Sequence, residues 1–364
     1  MIRMKYKGEI WIALSFFASI PCFSQKKPYV TFGGYVKDLQ TFSFIDNGDS
    51  VYLTNLIHNR INFSWKSGDH FAFNVGMRNL LYIGDQVKLV PDFSKTLDKG
   101  NGYLDLSYVW IDQKSLVLAT KFDRANVEYN FKKGFIRAGR QRINWGMNLV
   151  WNPNDIFNSY NFLNFDYEER PGNDAVRFSY NLKEQSNIEV AVAPADNNSS
   201  WIGSLKYSFN KRGYDFQFIG GNYKTDVVGG IGFAGNIKQA GWKTEATYFQ
   251  SNETPFKNSG YVSVSTGLDY GFKNGWYVNG SFLYCSAALD KIYSVEQLIT
   301  VQLSPKTPMP DKVNLLLQTR KSFNAIFTGT FSVIYSPTKN LLIILPYLTY
   351  SIATNWDLDL FIQS

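Results

Sequence analysis

Apolar and polar residues alternate with a period of two in many segments of the chain. The alternation is clear at residues 57–65 and 71–78, and it recurs at 176–182, 242–248 and 323–333. Side chains of a β-strand point alternately to its two faces, so this period predicts strands. The runs have about ten residues, the length at which a strand tilted by about 45° crosses the hydrocarbon core of a membrane. The pattern therefore predicts an all-β chain built from transmembrane strands.

Composition narrows the class of protein. Hydrophobic residues make up 45% of the chain, aromatic residues 17%, and the mean hydropathy is −0.22. No segment beyond the N-terminal region has a long enough uninterrupted apolar run for a membrane-spanning helix. Strands with one lipid face and one water face give moderate hydropathy and aromatic girdles, whereas strands of soluble proteins average about five or six residues. We therefore predict a transmembrane antiparallel up-and-down β-barrel rather than a soluble β-sandwich.

The spacing of turns predicts the topology. Outer-membrane barrels place short turns on the periplasmic side and long loops outside. On this rule the chain forms about sixteen strands, with fourteen or eighteen as alternatives, and both termini are periplasmic. One of these strands is predicted over 321–335, and the segment 103–112 is assigned to a loop. The short turns are predicted at 67–69, 132–134, 210–213, 273–275 and 336–340, and the long connections at 82–117, 145–173, 251–259 and 286–320.

The N-terminal segment predicts export. Basic residues Arg3, Lys5 and Lys7 precede an apolar stretch at 10–20, and small residues follow at 22–24. This is the pattern of a signal peptide, here residues 1–24, cleaved to leave a barrel of residues 25–364. A lipoprotein anchored at Cys22 is the alternative. Cleavage removes three basic residues and one acidic residue, lowering the net charge from +7 to +5. No block of lysine or arginine remains, so we predict no nucleic-acid binding.

The connection at 145–173 is the strongest candidate for a functional segment. Loops of this length without regular structure are uncommon and usually functional. Arg140 and Arg142 precede it, and charged residues of both signs follow near its exit: Asp166, Glu168, Glu169 and Arg170. We predict that it folds into the barrel and shapes a pore.

Three sequence blocks resemble a known family. RQRINWG at 140–146, WNPNDIFN at 151–158 and FDYEERPGNDA at 165–175 resemble porin-like outer-membrane barrels of Bacteroidota, and the block at 345–360 extends a weaker similarity. The resemblance implies the fold and the outer membrane of a Gram-negative cell, and says less about substrate.

The alternation also predicts which charges line the lumen. A barrel of sixteen to eighteen strands leaves a lumen wide enough for water. Opposed rows of charge in such a passage orient polar solutes and filter them by charge. Alternatively, arginine–carboxylate pairs pin the loop to the wall and close the lumen. The predicted pore set is Arg60, Arg78, Glu128, Arg137, Arg140, Arg142, Asp166, Glu168, Glu169, Arg170 and Arg177.

The orientation of Arg140 and Arg142 depends on Gly139. Unbroken alternation with Ile136 turns both arginines outward, where they would meet lipopolysaccharide phosphates. A bulge at Gly139 turns them inward, and the inward orientation is the one we predict.

The sequence lacks the residues that an enzyme active site of a known kind would need. The chain has two histidines, and neither His58 nor His70 lies where an outer-membrane lipase needs one. No metal-ligand spacing, P-loop or nucleophile motif is present, so we predict no catalytic residues, metal or cofactor.

The predicted function is therefore a passive channel for small polar or charged solutes. The alternative is a non-conducting barrel that serves as a structural or accessory subunit of a larger complex. Outer-membrane lipid and lipopolysaccharide are the expected partners, and other envelope proteins would bind through the connections at 82–117 and 286–320.

Overall fold

A computed structural model describes residues 28–45, 49–98, 102–158, 170, 172–195, 200–252, 260–288 and 303–364. These residues form eighteen β-strands and two short helices. The helices are α1 (Asp85–Leu89) and α2 (Phe93–Asp98). The strands are β1 (Tyr29–Ile45), β2 (Ser50–Ser67), β3 (Phe71–Gly84), β4 (Ser107–Gln113), β5 (Leu116–Phe131), β6 (Gly134–Gln141), β7 (Asn173–Lys183), β8 (Ser186–Ala193), β9 (Ile202–Lys211), β10 (Tyr214–Tyr223), β11 (Asp226–Ile237), β12 (Ala240–Ser251), β13 (Tyr261–Gly271), β14 (Trp276–Cys285), β15 (Val313–Ser322), β16 (Phe327–Ser336), β17 (Leu341–Ala353) and β18 (Trp356–Phe361).

The chain divides into two compact units. The first takes the described residues of 1–143, 169–180 and 191–198. In it, β1, β2, β3, β5, β6 and β7 pair in that order, and each pair is antiparallel. The second unit takes the described residues of 144–168, 181–190 and 199–364. In it, β9 to β18 pair antiparallel in sequence order. The predicted antiparallel up-and-down sheet is confirmed.

The two faces of the sheet differ as the alternation predicts. On β2, Val51 and Leu53 are about half exposed, whereas His58 and Arg60 on the opposite face are buried. In the second unit, exposed side chains such as Leu268 again share one face, and Ser263 and Ser265 on the other are buried. We call the face with exposed large apolar side chains the outer face, and the opposite one the inner face.

The segment that we assigned to a loop at 103–112 contains a strand. β4 pairs antiparallel with the first part of β5, at Ser107–Gln113 against Leu116–Lys121. β3 pairs antiparallel with β5 as well. Because β3 and β4 both run opposite to β5, the additional strand leaves the direction of β5 and of the following strands unchanged.

A β-bulge interrupts β5 at Asp123. Met77 of β3 pairs with Phe122 and the preceding Gly76 pairs with Arg124, so Asp123 is the extra residue. A bulge of this kind shifts the alternation by one position. Lys121 before it and Arg124 after it therefore both lie on the inner face.

The strand predicted over 321–335 is wrong, because the segment is a hairpin. β15 and β16 pair antiparallel, and residues 323–326 form the turn between them. The Asn324 side chain accepts a hydrogen bond from the Ile326 N–H, 3.0 Å away, and this local contact stabilises the turn. The prediction of about sixteen strands thus becomes eighteen, one of its alternatives.

The extra hairpin also changes where the next turn lies. The short turns predicted at 67–69, 132–134, 210–213 and 273–275 are confirmed as connections between neighbouring strands. The turn at 336–340 is confirmed too, but it lies at the opposite edge of its sheet from 273–275 because β15 and β16 intervene. β18 therefore runs in the same direction as β14 and β16.

The predicted signal peptide, including Cys22, lies outside the described residues. None of the helices in the described ranges is long and apolar enough to span a membrane.

Candidate functional site

Two arginines share one carboxylate on the inner face of the first unit. Arg60 and Arg78 are direct neighbours in the register of β2 and β3. Asp123 Oδ2 lies 2.8 Å from Arg60 Nη1 and 2.7 Å from Arg78 Nε. Arg60 and Asp123 are buried, with 3% and 6% of their side chains exposed. The bulge in β5 makes this contact possible because it turns Asp123 toward the arginines.

Asp123, Lys121 and Arg124 are not among the pore residues predicted from the sequence. A signal for the bulge is nevertheless present, since the apolar positions of β5 change parity along the strand. They are even-numbered at Leu116, Leu118 and Phe122 and odd-numbered at Ala125, Val127 and Tyr129.

A second charged row lies across β5, β6 and β7. Glu128, Arg137 and Arg177 are consecutive register partners. Arg137 Nε donates to Glu128 Oε2 at 2.6 Å, and Arg137 Nη2 contacts the same oxygen. Both guanidinium groups also lie over the ring of Phe135, at 5.1 and 5.3 Å from its centroid. The aromatic ring holds the two cations side by side.

The inner face of the first unit carries an excess of positive charge. The register places eight basic residues and three acidic residues on it, an excess of five. The acidic residues are Asp112, Asp123 and Glu128. The basic residues are Lys37, Arg60, Lys66, Arg78, Lys121, Arg124, Arg137 and Arg177.

Arg140 does not have the inward orientation that we predicted. Gly139 has a φ of 110°, but the register continues across it without a shift, so Arg140 shares the face of Ile136 and Val176. Its Nε and Nη2 donate to the two carboxylate oxygens of Asp174, at 2.9 and 2.8 Å. This buried two-point pair is on the outer face.

β4 pairs with the first part of β5 and β6 with its last part. The Arg140 guanidinium lies between these two pairings and donates hydrogen bonds to backbone carbonyls there. It donates to Phe122 O at 3.2 Å and to Leu104 O at 2.5 Å. A Cβ on Gly102 would lie only 2.2 Å from Arg140 Nη2, so the 102–104 segment packs directly on the pair. Arg140 therefore joins β5, β7 and the chain before β4.

The remaining predicted charges have different placements. Arg142 is half-buried, and its Nε has no hydrogen-bond partner among the described residues. The Arg170 carbonyl accepts a hydrogen bond from Arg124 Nη2 at 2.9 Å. Asp166, Glu168 and Glu169 lie outside the described residues. The role of the whole set in a pore stays a prediction.

The two short helices lie against the inner face of the first unit. Val87 of α1 and Phe93 of α2 form a buried apolar cluster with Val117 of β5, and Tyr82 packs against it. The Tyr82 and Phe93 rings meet edge to face, 4.9 Å apart. Part of the connection predicted at 82–117 is therefore folded onto the sheet. Whether it binds a partner stays a prediction.

In the second unit, residues 145–158 lie on the inner face and are held by Glu245 of β12. The Glu245 carboxylate is fully buried and accepts hydrogen bonds from three backbone N–H groups. Asn148 N is 2.7 Å from Oε1, Asn154 N is 2.9 Å from Oε2, and Met147 N also donates to Oε1. A carboxylate that accepts several N–H bonds is a strong anchor for a segment without regular structure.

Side chains of the same segment add further contacts with the strands. The Asn154 amide donates to Ile231 O at 2.8 Å and accepts from Thr247 Oγ1 at 2.7 Å. The Asn148 amide donates to the Ser265 carbonyl at 3.0 Å. These bonds satisfy polar groups that would otherwise be buried without partners. Nothing in the sequence marks Glu245 as the anchor, because it is one of many polar residues in alternating strands.

The two tryptophans of the segment are buried. Trp145 donates from Nε1 to Glu189 at 3.2 Å, and the ammonium group of Lys206 lies 5.6 Å from its ring centroid. Glu189 and Lys206 form an ion pair at 2.7 Å. Trp151 belongs to an apolar cluster that covers the inner face of β14 to β17: Val150, Trp151, Leu283, Met309, Leu316, Ile334, Ile343 and Leu345.

The histidines make local contacts. The buried His58 ring meets the ring of Tyr35 edge to face at 5.7 Å, and His70 Nδ1 is 2.8 Å from Asn130 O. Among the described residues, no group of three or more His, Cys, Asp or Glu side chains has the spacing to hold a metal ion.

No protein-family model matches the chain, and no curated protein matches it in sequence. Solved structures match it in fold. OccAB4 of Acinetobacter baumannii matches with a TM-score of 0.56 and 8% identity over 94% of both chains. OmpF of Salmonella typhi, in complex with daunomycin, has a TM-score of 0.46 and 9% identity over 84% of this chain and 89% of that one. A mutant porin of Rhodopseudomonas blastica has a TM-score of 0.48 and 10% identity over 92% of this chain and 100% of that one. The match with OccAB4 shows that the two chains share a fold, which agrees with the predicted β-barrel class.

Proposed function

We propose that this protein is an outer-membrane channel for passive diffusion of small polar or charged solutes. The two-faced sheet carries the proposal. Its outer face exposes large apolar side chains such as Phe32, Val36 and Ile231, which suits contact with lipid, and its inner face carries most of the charged residues of the strands. Strands of this kind are the structural basis of water-filled outer-membrane barrels.

The inner face of the first unit would set the charge preference of the channel. An excess of five positive charges attracts anions and repels cations in a confined passage with low-dielectric walls. The sequence-based prediction that Asp166, Glu168 and Glu169 form the acidic side of a constriction belongs to the same proposal, and these three residues lie outside the described ones. The resemblance to porin-like barrels of Bacteroidota, the N-terminal export pattern and the fold support the same location and class.

The proposal includes export by a cleaved signal peptide and excludes catalysis. Its support is the N-terminal basic and apolar pattern and the lack of catalytic motifs in the sequence. N-terminal sequencing of protein purified from outer membranes tests the cleavage site, which we place before Gln25.

Conductance in a planar bilayer tests the channel directly. The purified barrel should give steady single-channel currents, and a salt gradient should give a reversal potential that favours anions. Arg177→Gln should shift that potential toward cations because Arg177 belongs to the basic inner face. Lys211→Gln, at the exposed end of β9, serves as the matched control and should leave it unchanged. A reversal potential that stays the same in Arg177→Gln would contradict the basic arc.

The second candidate function is a non-conducting barrel that acts as a structural or accessory subunit of a larger outer-membrane complex. The observation that favours it is that non-strand segments cover part of the inner face in each unit. In the second unit, residues 145–158 and Met309 cover the strands, and in the first unit α1 and α2 do so. A folded, membrane-inserted barrel that passes no current would favour this function over the channel.

A further inference from the structure

The outer face of the second unit has an apolar groove with a cation at one end. It runs over β12 to β15 and has a volume of about 640 Å³. Its walls include Trp242, Leu268, Phe272 and Leu317, all of which are more than a third exposed. At its floor lies Gly280 of β14, where an added Cβ would meet only open space. The groove therefore exists because a small residue faces outward between large ones.

One end of the groove adjoins the turn at 273–275. Phe272 lines the groove, and its N–H donates to the Trp276 carbonyl across this turn, 2.7 Å away. Lys321 of β15 is the register partner of Trp276. The Lys321 ammonium group lies 5.7 Å from the Trp276 ring centroid and donates to the carbonyl of Asn274. The apolar groove and a positive charge therefore meet at the rim of the sheet.

Lys321 carries a charge that the described residues do not neutralise. It makes a cation–π contact and a carbonyl contact but no ion pair with any described residue. These contacts fix the ammonium group at the rim and leave its net charge available to an anion. Aromatic and basic side chains that lie together at the rim of a membrane sheet are typical of the membrane interface, where they contact lipid headgroups.

We propose that this groove binds one phospholipid, with an acyl chain over Gly280 and the headgroup phosphate at Lys321. The inference rests on the proposed membrane location but not on conduction. Apolar walls along the groove match the hydrocarbon chain, and the single cation at its end matches the phosphate. An apolar groove that ends at a single cation suits a glycerophospholipid, in which an acyl chain and one phosphate are joined through glycerol.

Native mass spectrometry of the detergent-purified barrel, titrated with dioleoyl phosphatidylglycerol, tests the proposal. The wild-type barrel should retain one lipid at activation energies that strip detergent. Gly280→Leu should lose this adduct because the side chain fills the groove. Gly220→Leu is the matched control, since Gly220 also faces outward from its strand and has open space around its Cβ position. An adduct that persists in Gly280→Leu would overturn the site.

Lys321→Gln tests the headgroup independently of the groove. The variant should lose phosphatidylglycerol retention, and the wild type should retain dioleoylglycerol, which has the chains but no phosphate, much less than phosphatidylglycerol. Equal retention of the two lipids, or full retention in Lys321→Gln, would overturn the phosphate assignment. Preferential retention of lipid A would overturn the choice of phospholipid. Heat-modifiability on gels confirms folding of each variant.

Conductance separates this proposal from the proposed function. Gly280→Leu and Lys321→Gln change the outer face, so they should leave the single-channel current at its wild-type value. A barrel that retains the lipid but passes no current contradicts the channel alone. A barrel that conducts but retains no lipid contradicts the groove alone.

Discussion

Glu245 of β12 accepts a hydrogen bond at 2.9 Å from the backbone N–H of Asn154, 91 residues earlier in the chain. The same carboxylate receives the N–H groups of Met147 and Asn148. One buried side chain thus fixes both ends of an eight-residue stretch that has no regular secondary structure. The position of this stretch on the inner face depends on a residue that is remote in sequence.

Replacing Glu245 should release this stretch. Glu245→Ala removes the acceptor of three backbone hydrogen bonds, each worth about 0.5–1.5 kcal/mol. We expect the 147–154 stretch to become sensitive to protease while the strands remain intact, and the current of a conducting barrel to rise. Limited proteolysis with mass spectrometry locates the cleavage. Glu184→Gln, at an exposed turn, is the control and should stay resistant. Equal resistance of Glu245→Ala would show that the anchor is dispensable.

The carboxylate of Asp123 should be essential to the stability of the first unit. Asp123→Asn leaves Arg60 and Arg78 close together on the inner face without their shared anion. Loss of one partner of a buried ion pair costs about 3–5 kcal/mol, so we expect a lower midpoint in urea unfolding of the barrel in lipid vesicles. Asp49→Asn, at an exposed turn, should leave the midpoint unchanged.

If the Asp123→Asn barrel still folds, it should also prefer anions more strongly than the wild type. The substitution raises the net charge of the inner face by one. The reversal potential in a salt gradient measures this change. A barrel of wild-type stability and wild-type selectivity would contradict the role that we give to Asp123.

Arg140 should act in stability rather than in selectivity. Lysine keeps the charge but cannot bond both oxygens of Asp174 and two carbonyls at once. Arg140→Lys should therefore lower the free energy of unfolding by about 2 kcal/mol or more, the size of one or two charged hydrogen bonds. The reversal potential should not change, because Arg140 lies on the outer face. Arg212→Lys, at an exposed turn, provides the comparison for both measurements. A shift in selectivity without loss of stability would contradict this assignment.

Cys285 should be unreactive in the folded barrel. Its side chain is fully buried, and its Sγ contacts the carbonyl of Lys306 at 2.8 Å. A maleimide reagent should label the barrel of residues 25–364 only after unfolding, as mass spectrometry can show. The variant Lys211→Cys places a thiol at the exposed end of β9 and should be labelled once, at this position, without denaturant. Rapid labelling of Cys285 in the folded state would show that the C-terminal end of β14 is accessible to the reagent.

Local pattern was enough to predict strands such as β2, β3 and β12. Alternation states which side chains share a face, and this depends only on the geometry of an extended backbone. The same information was not enough at 321–335. Alternation continues through Phe323 and Ala325, although Asn324 closes a turn there through its own side chain. When the alternation of apolar and polar residues continues through a turn, the period-two pattern does not reveal that the strand has ended.

The bulge in β5 could be predicted from the sequence only in part. The change in parity between Phe122 and Ala125 is visible in the sequence, but the contact that it creates is not. Asp123 meets Arg60 only because β3 places β2 and β5 at the right register, and register is set by the pairing of whole strands. The outer-face position of Arg140 follows in the same way, from pairing that continues across Gly139.

The sequence by itself determined an antiparallel, two-faced β-sheet, the short turns at 67–69, 132–134, 210–213 and 273–275, and the segment at 145–158 as an irregular connection between strands. These features follow from side-chain alternation and turn chemistry, which act over a few neighbouring residues. Tertiary structure alone decided that Glu245 anchors that connection, that Asp123 joins two arginines, and that a groove opens over Gly280. Each of these brings together residues from strands far apart in the chain, and only the register of the assembled sheet fixes which of them meet.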